Sequence, residues 1–441
     1  MKKLIFVILD GIGGRPVKEF KGLTPLEAAN TPNLDELAKI GKTGLMVVID
    51  EKTPPETDNG VLAIFGYDPN IYSRCRGVLE VIGEDIKFNE GDLAIRCNFA
   101  TFDNRRIIDS RAGRIKNIQS KKLVESINKK VSLKDLSVDF KLFHTLNYRS
   151  VLILHSDTKT LSDQISNTHP GYERKKGYAE LPKPLLKEKI YEECKPLDDT
   201  EAAKFSANVV NEFTKRSKKV LENDPINLKR KKKKLPIANI LLMRAAGNNL
   251  PKLEDFKKKY GTSWLCIGDT PAEKGIAKLL GMEVLKGLPD PLSDNLTKEH
   301  SEEEIEKVLK KDLEIRTEEL LKNIDSYDCI YVHLKGADPY GHAGLPNKKK
   351  KVIECLDKWL FGKLIDKIDM EKTIFCVTSD HCTACDIGAH ASDPVPLLIS
   401  GNDVESDSVE KFGESFCKKG GIGKIKGVEL MSILMGDVLN D

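Results

Sequence analysis

Leu4-Ile5-Phe6-Val7-Ile8-Leu9-Asp10-Gly11-Ile12-Gly13-Gly14 follows Met1-Lys2-Lys3 at the start of the chain. Six consecutive apolar residues ending on a carboxylate and a glycine-rich run read as a strand buried on both faces, as in parallel sheets, with a loop at its carboxyl end. Open α/β sheets gather ligands at such ends. The order recurs far along the chain. Cys329 to Leu334 runs into Lys335-Gly336-Ala337-Asp338-Pro339-Tyr340-Gly341-His342, and Thr373 to Thr378 runs into Ser379-Asp380-His381. The opening imitates the first half of a signal peptide, but Asp10 ends it after six apolar residues and no small-residue cleavage site follows.

A chain of 441 residues exceeds one ordinary hydrophobic core and predicts two domains. Charged residues make up 32% of it, yet the net charge is only +3 with both signs dispersed, which points to neither nucleic acid nor membrane as a partner. No apolar run approaches the roughly 18 residues that span a bilayer. The ten cysteines are irregularly scattered, as expected of reduced thiols in a cytoplasmic protein. Cys382 and Cys385 form a C-x-x-C without a second pair at zinc-ribbon spacing, and are read as coincidental.

Thr24-Pro25-Leu26-Glu27 predicts a capped helix start, and Thr31-Pro32-Asn33-Leu34-Asp35 another, with Leu34, Leu37 and Ile40 as its apolar face and Gly41 as its stop. Thr53-Pro54-Pro55-Glu56-Thr57-Asp58-Asn59-Gly60 is a turn-rich segment before Val61 to Phe65 and Gly66-Tyr67-Asp68-Pro69. From about 72 to 260 the pattern changes: strand-like Leu93 to Phe99 and Ser150 to Leu154 and helical Ala202 to Leu221 come without evident metal ligands. The expectation is one domain from 1–71 and 261–441 and a smaller α/β domain inserted at 72–260. The cationic run Lys229 to Lys234 predicts a solvated loop, since its charges repel. After Tyr260 the α/β rhythm returns, with Trp264 to Ile267, Cys329 to Leu334 and Thr373 to Thr378 as strands, and Pro271 to Leu280, Ser301 to Ile324 and Lys351 to Ile368 as helices.

The loops at the strand ends collect Asp10, Thr57 with Asp58, Asp338 with His342, Asp380 with His381, and His390. Two divalent cations a few ångströms apart need this mixture: carboxylates supply charge and can bridge, while neutral imidazoles favour Mn²⁺ or Zn²⁺ over Ca²⁺. Each residue alone is an ordinary turn or core residue. Only the set points to metal chemistry.

Asp10-Gly11, the Pro-Pro-x-Thr-Asp segment before Phe65-Gly66-Tyr67-Asp68-Pro69, Asp338-x-x-x-His342, Asp380-His381 and His390-x-x-Asp393-Pro394-Val395-Pro396 resemble the alkaline phosphatase superfamily. More closely, the chain resembles the archaeal-type cofactor-independent phosphoglycerate mutases nearly end to end, through Thr24 to Asn33, Arg96-Cys97-Asn98-Phe99-Ala100-Thr101, Arg111-Ala112-Gly113-Arg114-Ile115, Lys195-Pro196-Leu197-Asp198 and Leu241-Leu242-Met243-Arg244. The resemblance implies an alkaline-phosphatase-like doubly wound α/β sheet domain with the inserted domain clamping substrate. It implies one cation on Asp338, His342 and His390, and a second on Asp10, Asp380 and His381 that also touches the nucleophile. The family nucleophile is a serine; its position here is Thr57. A threonine hydroxyl beside a dication can lose its proton and attack phosphorus, although the β-methyl restricts its rotamer.

For the substrate, the resemblance together with the chemistry of anion binding nominates Arg111, Arg114, Arg244 and Lys274 as anion clamps, and Asp163 as the group that positions the free hydroxyl and relays its proton. The implied activity is interconversion of 3-phosphoglycerate and 2-phosphoglycerate through phospho-Thr57. The implied cofactors are two cations, Mn²⁺ first with Zn²⁺, Mg²⁺ or Co²⁺ as alternatives, and no 2,3-bisphosphoglycerate; the partner is a small phosphorylated metabolite. The rival activities are a phosphohydrolase or phosphodiesterase of the same superfamily, and a catalytically silent relative that binds a metabolite or a protein. Oligomeric state is open.

Overall fold

The computed structural model describes residues 2–72, 76–175, 178–182, 189–289, 296–401 and 403–438. The chain forms two compact units, Met1–Pro69 with Lys252–Asp441, and Asn70–Pro251.

The first unit is built on an eight-stranded sheet in the order Glu283–Val284, Trp264–Gly268, Cys329–Leu334, Lys3–Leu9, Thr373–Thr378, Val395–Ser400, Gly41–Val47, Gly423–Lys426. The central strands are parallel, and every residue from Leu4 to Leu9 is buried, so the apolar run at the chain start serves two faces at once. Val395–Ser400 enters antiparallel to both of its neighbours. Around the sheet, a continuous core includes Ile5, Val7, Leu313, Ile353, Phe361 and Phe375. A second packing centre forms about Phe65, whose ring meets Tyr331 at 4.9 Å, Phe6 and Phe256 at 5.7 Å and Trp264 at 6.4 Å, all edge-on.

The second unit holds an antiparallel five-stranded sheet about Leu93–Asp103, which pairs with Arg106–Asp109, Arg149–His155 and Ile240–Gly247; Asp139–His144 adds beyond Arg149–His155. Leu123 and Ile127 of the helix Asn117–Lys130 and Phe213 of the helix Glu201–Glu222 share its core with Leu93, Leu152 and Leu241.

Several expectations change. The return to the first unit comes at Lys252, not 261, because Phe256 of the short helix Phe256–Tyr260 inserts between Phe65 and Trp264. Lys229 to Lys234 is not a loop through most of its length: Pro225–Lys232 is a helix, started by Asp224, whose side chain accepts from the Ile226 N–H, and by proline at its first position. Four cations at its carboxyl end suit the helix dipole, and Arg230 is buried, donating to the carbonyls of Ala112 (2.9 Å) and Pro236 (2.8 Å). Thr24 and Glu27 make the reciprocal bonds of a capping box, yet only a turn follows. The helix Pro32–Lys39 buries Leu34 and Leu37 but leaves Ile40 44% exposed. Nine of the cysteines are free thiols, and Cys75 lies outside the described residues.

Phe65 is fully buried. Phe65→Ala is expected to destabilise the first unit by about 3–5 kcal/mol, read by chemical denaturation followed through Trp264 fluorescence; a loss below about 1 kcal/mol would contradict its central place in the packing.

Candidate active site

Strand register brings the chemistry together. Ile8 stands opposite both His333 and Thr378, so the three central strands end level and deliver Asp10, Lys335 and Asp380 to one edge. Asp10 is tied back by its N–H to the Leu334 carbonyl (2.9 Å), and Gly11 N–H donates to Asp380 Oδ1 (3.2 Å). The short helix Asp338–His342 sets its two end residues one turn apart, with His342 Nε2 3.3 Å from Asp338 Oδ1. The hairpin Cys382–Ala384 with Ala389–Ala391 folds His390 back opposite Thr383. There the His390 ring stacks on His381 at 3.7 Å, and its Nε2 reaches Asp338 Oδ1 at 3.3 Å.

Thr57 begins the helix Thr57–Ile64, at the end where free N–H groups and the helix dipole favour negative charge. That helix lies directly on Asp380: a Cβ at Gly60 would fall 2.3 Å from the Asp380 carbonyl, so only glycine permits the approach.

Three imidazoles are wired alike. Nδ1 of His342 faces the Gly388 carbonyl (2.9 Å), Nδ1 of His390 the Pro55 carbonyl (2.7 Å), and Nδ1 of His381 the Thr383 hydroxyl (3.0 Å). A carbonyl accepts only, so Nδ1 of His342 and His390 carries hydrogen and Nε2 of each is left to face carboxylates. His381 Nε2 is 3.4 Å from Asp10 Oδ1 and 3.3 Å from Asp380 Oδ2; both His381 Nε2 and Asp380 Oδ2 are buried without a hydrogen-bond partner. Orphaned buried atoms of this kind suit a cation between them. Among the described residues, Asp338, His381 and His390 form one group whose ligand atoms lie within 4.8 Å of one another, and Asp10, His333 and Asp380 form another. His381 thus stands within reach of both groups rather than of one.

The sequence reading missed three members of this cluster. Lys335 Nζ donates to Asp10 Oδ1 (2.7 Å) and Thr57 Oγ1 (3.1 Å), and pairs with Glu273 Oε1 (3.0 Å). Burial alone would lower the Lys335 pKa, but Asp10, Glu273 and Asp380 hold it above its ordinary value. Burial would raise Glu273, yet His333 and Lys335 keep it down at about 2. His333, one residue inside its strand, bonds the Tyr331 hydroxyl (2.8 Å) and faces Asp380 Oδ2 at 3.6 Å. No spacing signal separates Lys335 or His333 from ordinary core or loop residues. Glu273 does carry one: it caps its own helix through Thr270. Lys274, its neighbour, is only half-buried.

The family profile described as 2,3-bisphosphoglycerate-independent phosphoglycerate mutase matches residues 38–227. A relative of that name from Pyrococcus abyssi is 37% identical over 443 residues, covering 100% of this chain and 98% of its own. The chain belongs to this family. Another such relative, mutase 1 of Methanocaldococcus jannaschii, is 37% identical over 439 residues, covering 98% of this chain and 96% of its own. Among solved structures, the PH0037 protein from Pyrococcus horikoshii superposes with a TM-score of 0.75 at 31% identity, covering 100% of this chain and 97% of that one. The cofactor-independent phosphoglycerate mutase from Thermoplasma acidophilum gives 0.59 at 27%, covering 99% and 100%.

The second unit carries the remaining nominated residues of this family member. Arg244 is buried on the strand Ile240–Gly247, opposite Arg96 in the sheet and 3.9 Å from the Tyr172 ring centroid. Arg96 Nη1 lies 2.8 Å from Glu80, and Arg76 3.6 Å from the same carboxylate, so a buried basic group surrounds one acid. Asp163 is engaged by Arg174 (2.8 Å) and Gln164 (2.6 Å). Arg111 and Arg114 sit in a loop capped by Asp109, with Arg111 exposed and 5.8 Å from the Tyr148 ring. The structure thus gathers Asp10, Thr57, Asp338, His342, Asp380, His381 and His390 within the first unit, while Asp163, Arg111, Arg114 and Arg244 belong to the second.

Burial lowers His390, but Glu56, Asp338 and the Pro55 carbonyl raise its pKa to about 9. At pH 7 a cation taking Nε2 therefore displaces a proton. Affinity for Mn²⁺ is expected to rise about tenfold per pH unit toward pH 9 and then level, with about one proton released by His390 on binding at pH 7. Calorimetry in buffers of different ionisation heat measures this. Zero proton release, or a flat pH profile, would remove His390 from the ligand set.

Proposed function

We propose that this protein interconverts 3-phosphoglycerate and 2-phosphoglycerate through a phosphoenzyme on Thr57, with two divalent cations, Mn²⁺ before Zn²⁺, Mg²⁺ or Co²⁺. The observation that carries the reading is the Thr57 hydroxyl at a helix N-terminus, within hydrogen-bond reach of Lys335, which also holds Asp10. Full-length likeness to relatives named as this mutase sets the substrate class.

Asp338, His342 and His390 would hold one cation, and Asp10, Asp380 and His381 the other. Bound cations supply charge neutralisation on the phosphoryl oxygens and acidify the nucleophile. Lys335, donating to Thr57 Oγ1, favours the ionised oxygen further. The Thr57 oxygen then forms a bond to phosphorus as the bond from phosphorus to the 3-oxygen of the glycerate breaks, and the proton that Thr57 lost ends on the departing oxygen. In the return half the 2-hydroxyl oxygen attacks phosphothreonine, its proton passes back to Thr57 Oγ1, and no water is consumed. Asp163 is assigned the handling of the free hydroxyl proton; Arg111, Arg114, Arg244 and Lys274 are assigned the carboxylate and phosphate charges.

Thr57→Ala is expected to reduce turnover on the order of 10⁶-fold, as removal of a covalent nucleophile does, while Mn²⁺ stoichiometry by elemental analysis holds at two. Thr57→Ser is expected to remain active. Incubation with 3-phosphoglycerate, following 2-phosphoglycerate and free phosphate together, decides the reaction: isomer without phosphate supports the mutase, stoichiometric phosphate indicates the hydrolase, and neither product from metal-loaded protein indicates a silent relative. Arg244→Ala is expected to raise KM for 3-phosphoglycerate about tenfold or more, the scale of one lost charge-assisted hydrogen bond; an unchanged KM would remove Arg244 from the substrate contacts.

A further inference from the structure

Thr383 lies where the two ligand groups meet. Its hydroxyl donates to Asp338 Oδ1 at 2.8 Å, and the same oxygen is 3.0 Å from His381 Nδ1. A threonine hydroxyl has a single hydrogen. With that hydrogen on the Asp338 carboxylate, its oxygen must accept from His381 Nδ1–H, which leaves His381 Nε2 as a bare lone pair toward Asp10 and Asp380. One side chain thereby fixes a carboxylate of the first ligand set and the tautomer of an imidazole in the second.

The surroundings hold that hydroxyl in place. Thr383 is fully buried. A Cβ at Gly11 would fall 2.5 Å from Thr383 Oγ1, and one at Gly341 would fall 2.7 Å from its Cγ2, so both neighbours must be glycine. The Thr383 N–H donates to the Gly13 carbonyl (3.0 Å), and buried Lys349 Nζ bridges the carbonyls of Gly13 and Thr383 at 2.7 Å each. A β-branched side chain on so constrained a backbone has little rotamer freedom.

We propose that Thr383 is a positioning residue that couples the two cation sites, so that filling one orders a ligand of the other. The inference rests on the two-cation reading above. Its test is binding, not turnover: metal-free full-length protein is titrated with Mn²⁺ by calorimetry and with Co²⁺ by visible absorption. Wild type is expected to take two ions. Thr383→Val, which keeps shape and removes the hydroxyl, is expected to weaken both constants about 10- to 100-fold, the usual scale for the outer partners of metal ligands, while Thr383→Ser stays within about threefold of wild type. In wild type, His390→Ala is expected to weaken the ion bound by Asp10, Asp380 and His381; on the Thr383→Val background that cross-effect should vanish. Two unaltered constants in Thr383→Val, weakening at one ion only, or a surviving cross-effect would each overturn the coupling. A wild type that binds a single ion would instead overturn the two-cation reading itself. Melting of the metal-free variants checks their folding, and Thr383→Ala carries the same comparison if Thr383→Val does not fold.

Discussion

Three carboxylates, Asp10, Asp338 and Asp380, converge at one end of a buried sheet, and two of them are nearly without exposure. Charges of one sign so close, with little water between them, repel strongly, and each also forgoes hydration. The surrounding structure answers this constraint. Burial would push Asp338 and Asp380 toward the neutral form, yet His342 and His390 beside the first, and His381, His333 and Lys335 beside the second, hold both well below the usual carboxylate range. The cluster therefore keeps its negative charge inside the protein, where a divalent cation meets a preorganised set of oxygens and ring nitrogens.

Holding such a set requires rigidity behind it. Arg316, almost fully buried, pairs with Asp312 and with Asp269, whose other oxygen accepts from the Lys335 N–H; the long helix Glu302–Asn323 thereby anchors the loop that carries Lys335. Asp357 performs a similar task at a distance, taking the N–H groups of Asn33 and Leu34 and so capping a helix to which it does not belong in sequence. Glycine fits where backbone or side chain must approach without a Cβ, at Gly60 over Asp380 and at Gly11 over Thr383. These are packing solutions to an electrostatic problem, and they involve residues spread over more than 300 positions of chain.

What could be read from the sequence follows how local each signal is. Leu4 to Leu9 and Thr373 to Thr378 announce themselves as buried strands because a strand covered on both faces must be continuously apolar. The helix Glu201–Glu222 matches the helical stretch expected over Ala202 to Leu221, whereas Asp338 and His342, expected in a loop, stand at the two ends of a short helix. The helix Pro225–Lys232 was hidden because a run of like charges reads as a solvated loop, whereas in the fold Asp224 caps it and the buried guanidinium of Arg230 finds carbonyl partners from other segments. Thr24 and Glu27 erred the other way: the cap formed, but the Glu414 carboxylate takes the Thr24 hydroxyl and no helix follows.

The sequence by itself nominated the carboxylates and imidazoles for metal chemistry, because as a set they gather just after apolar strands, and it carried the likeness that names the family. Tertiary structure alone decided how they are shared. Whether His381 serves one group or both, that Lys335 touches Thr57, and that Thr383 joins Asp338 to His381, all depend on strand register and a folded-back hairpin. Apart from Thr383 with His381, such contacts join residues 45 to 325 positions apart, from Thr383 with Asp338 to Lys335 with Asp10. No local periodicity or spacing encodes them, since their energy is gained only when the chain closes on itself.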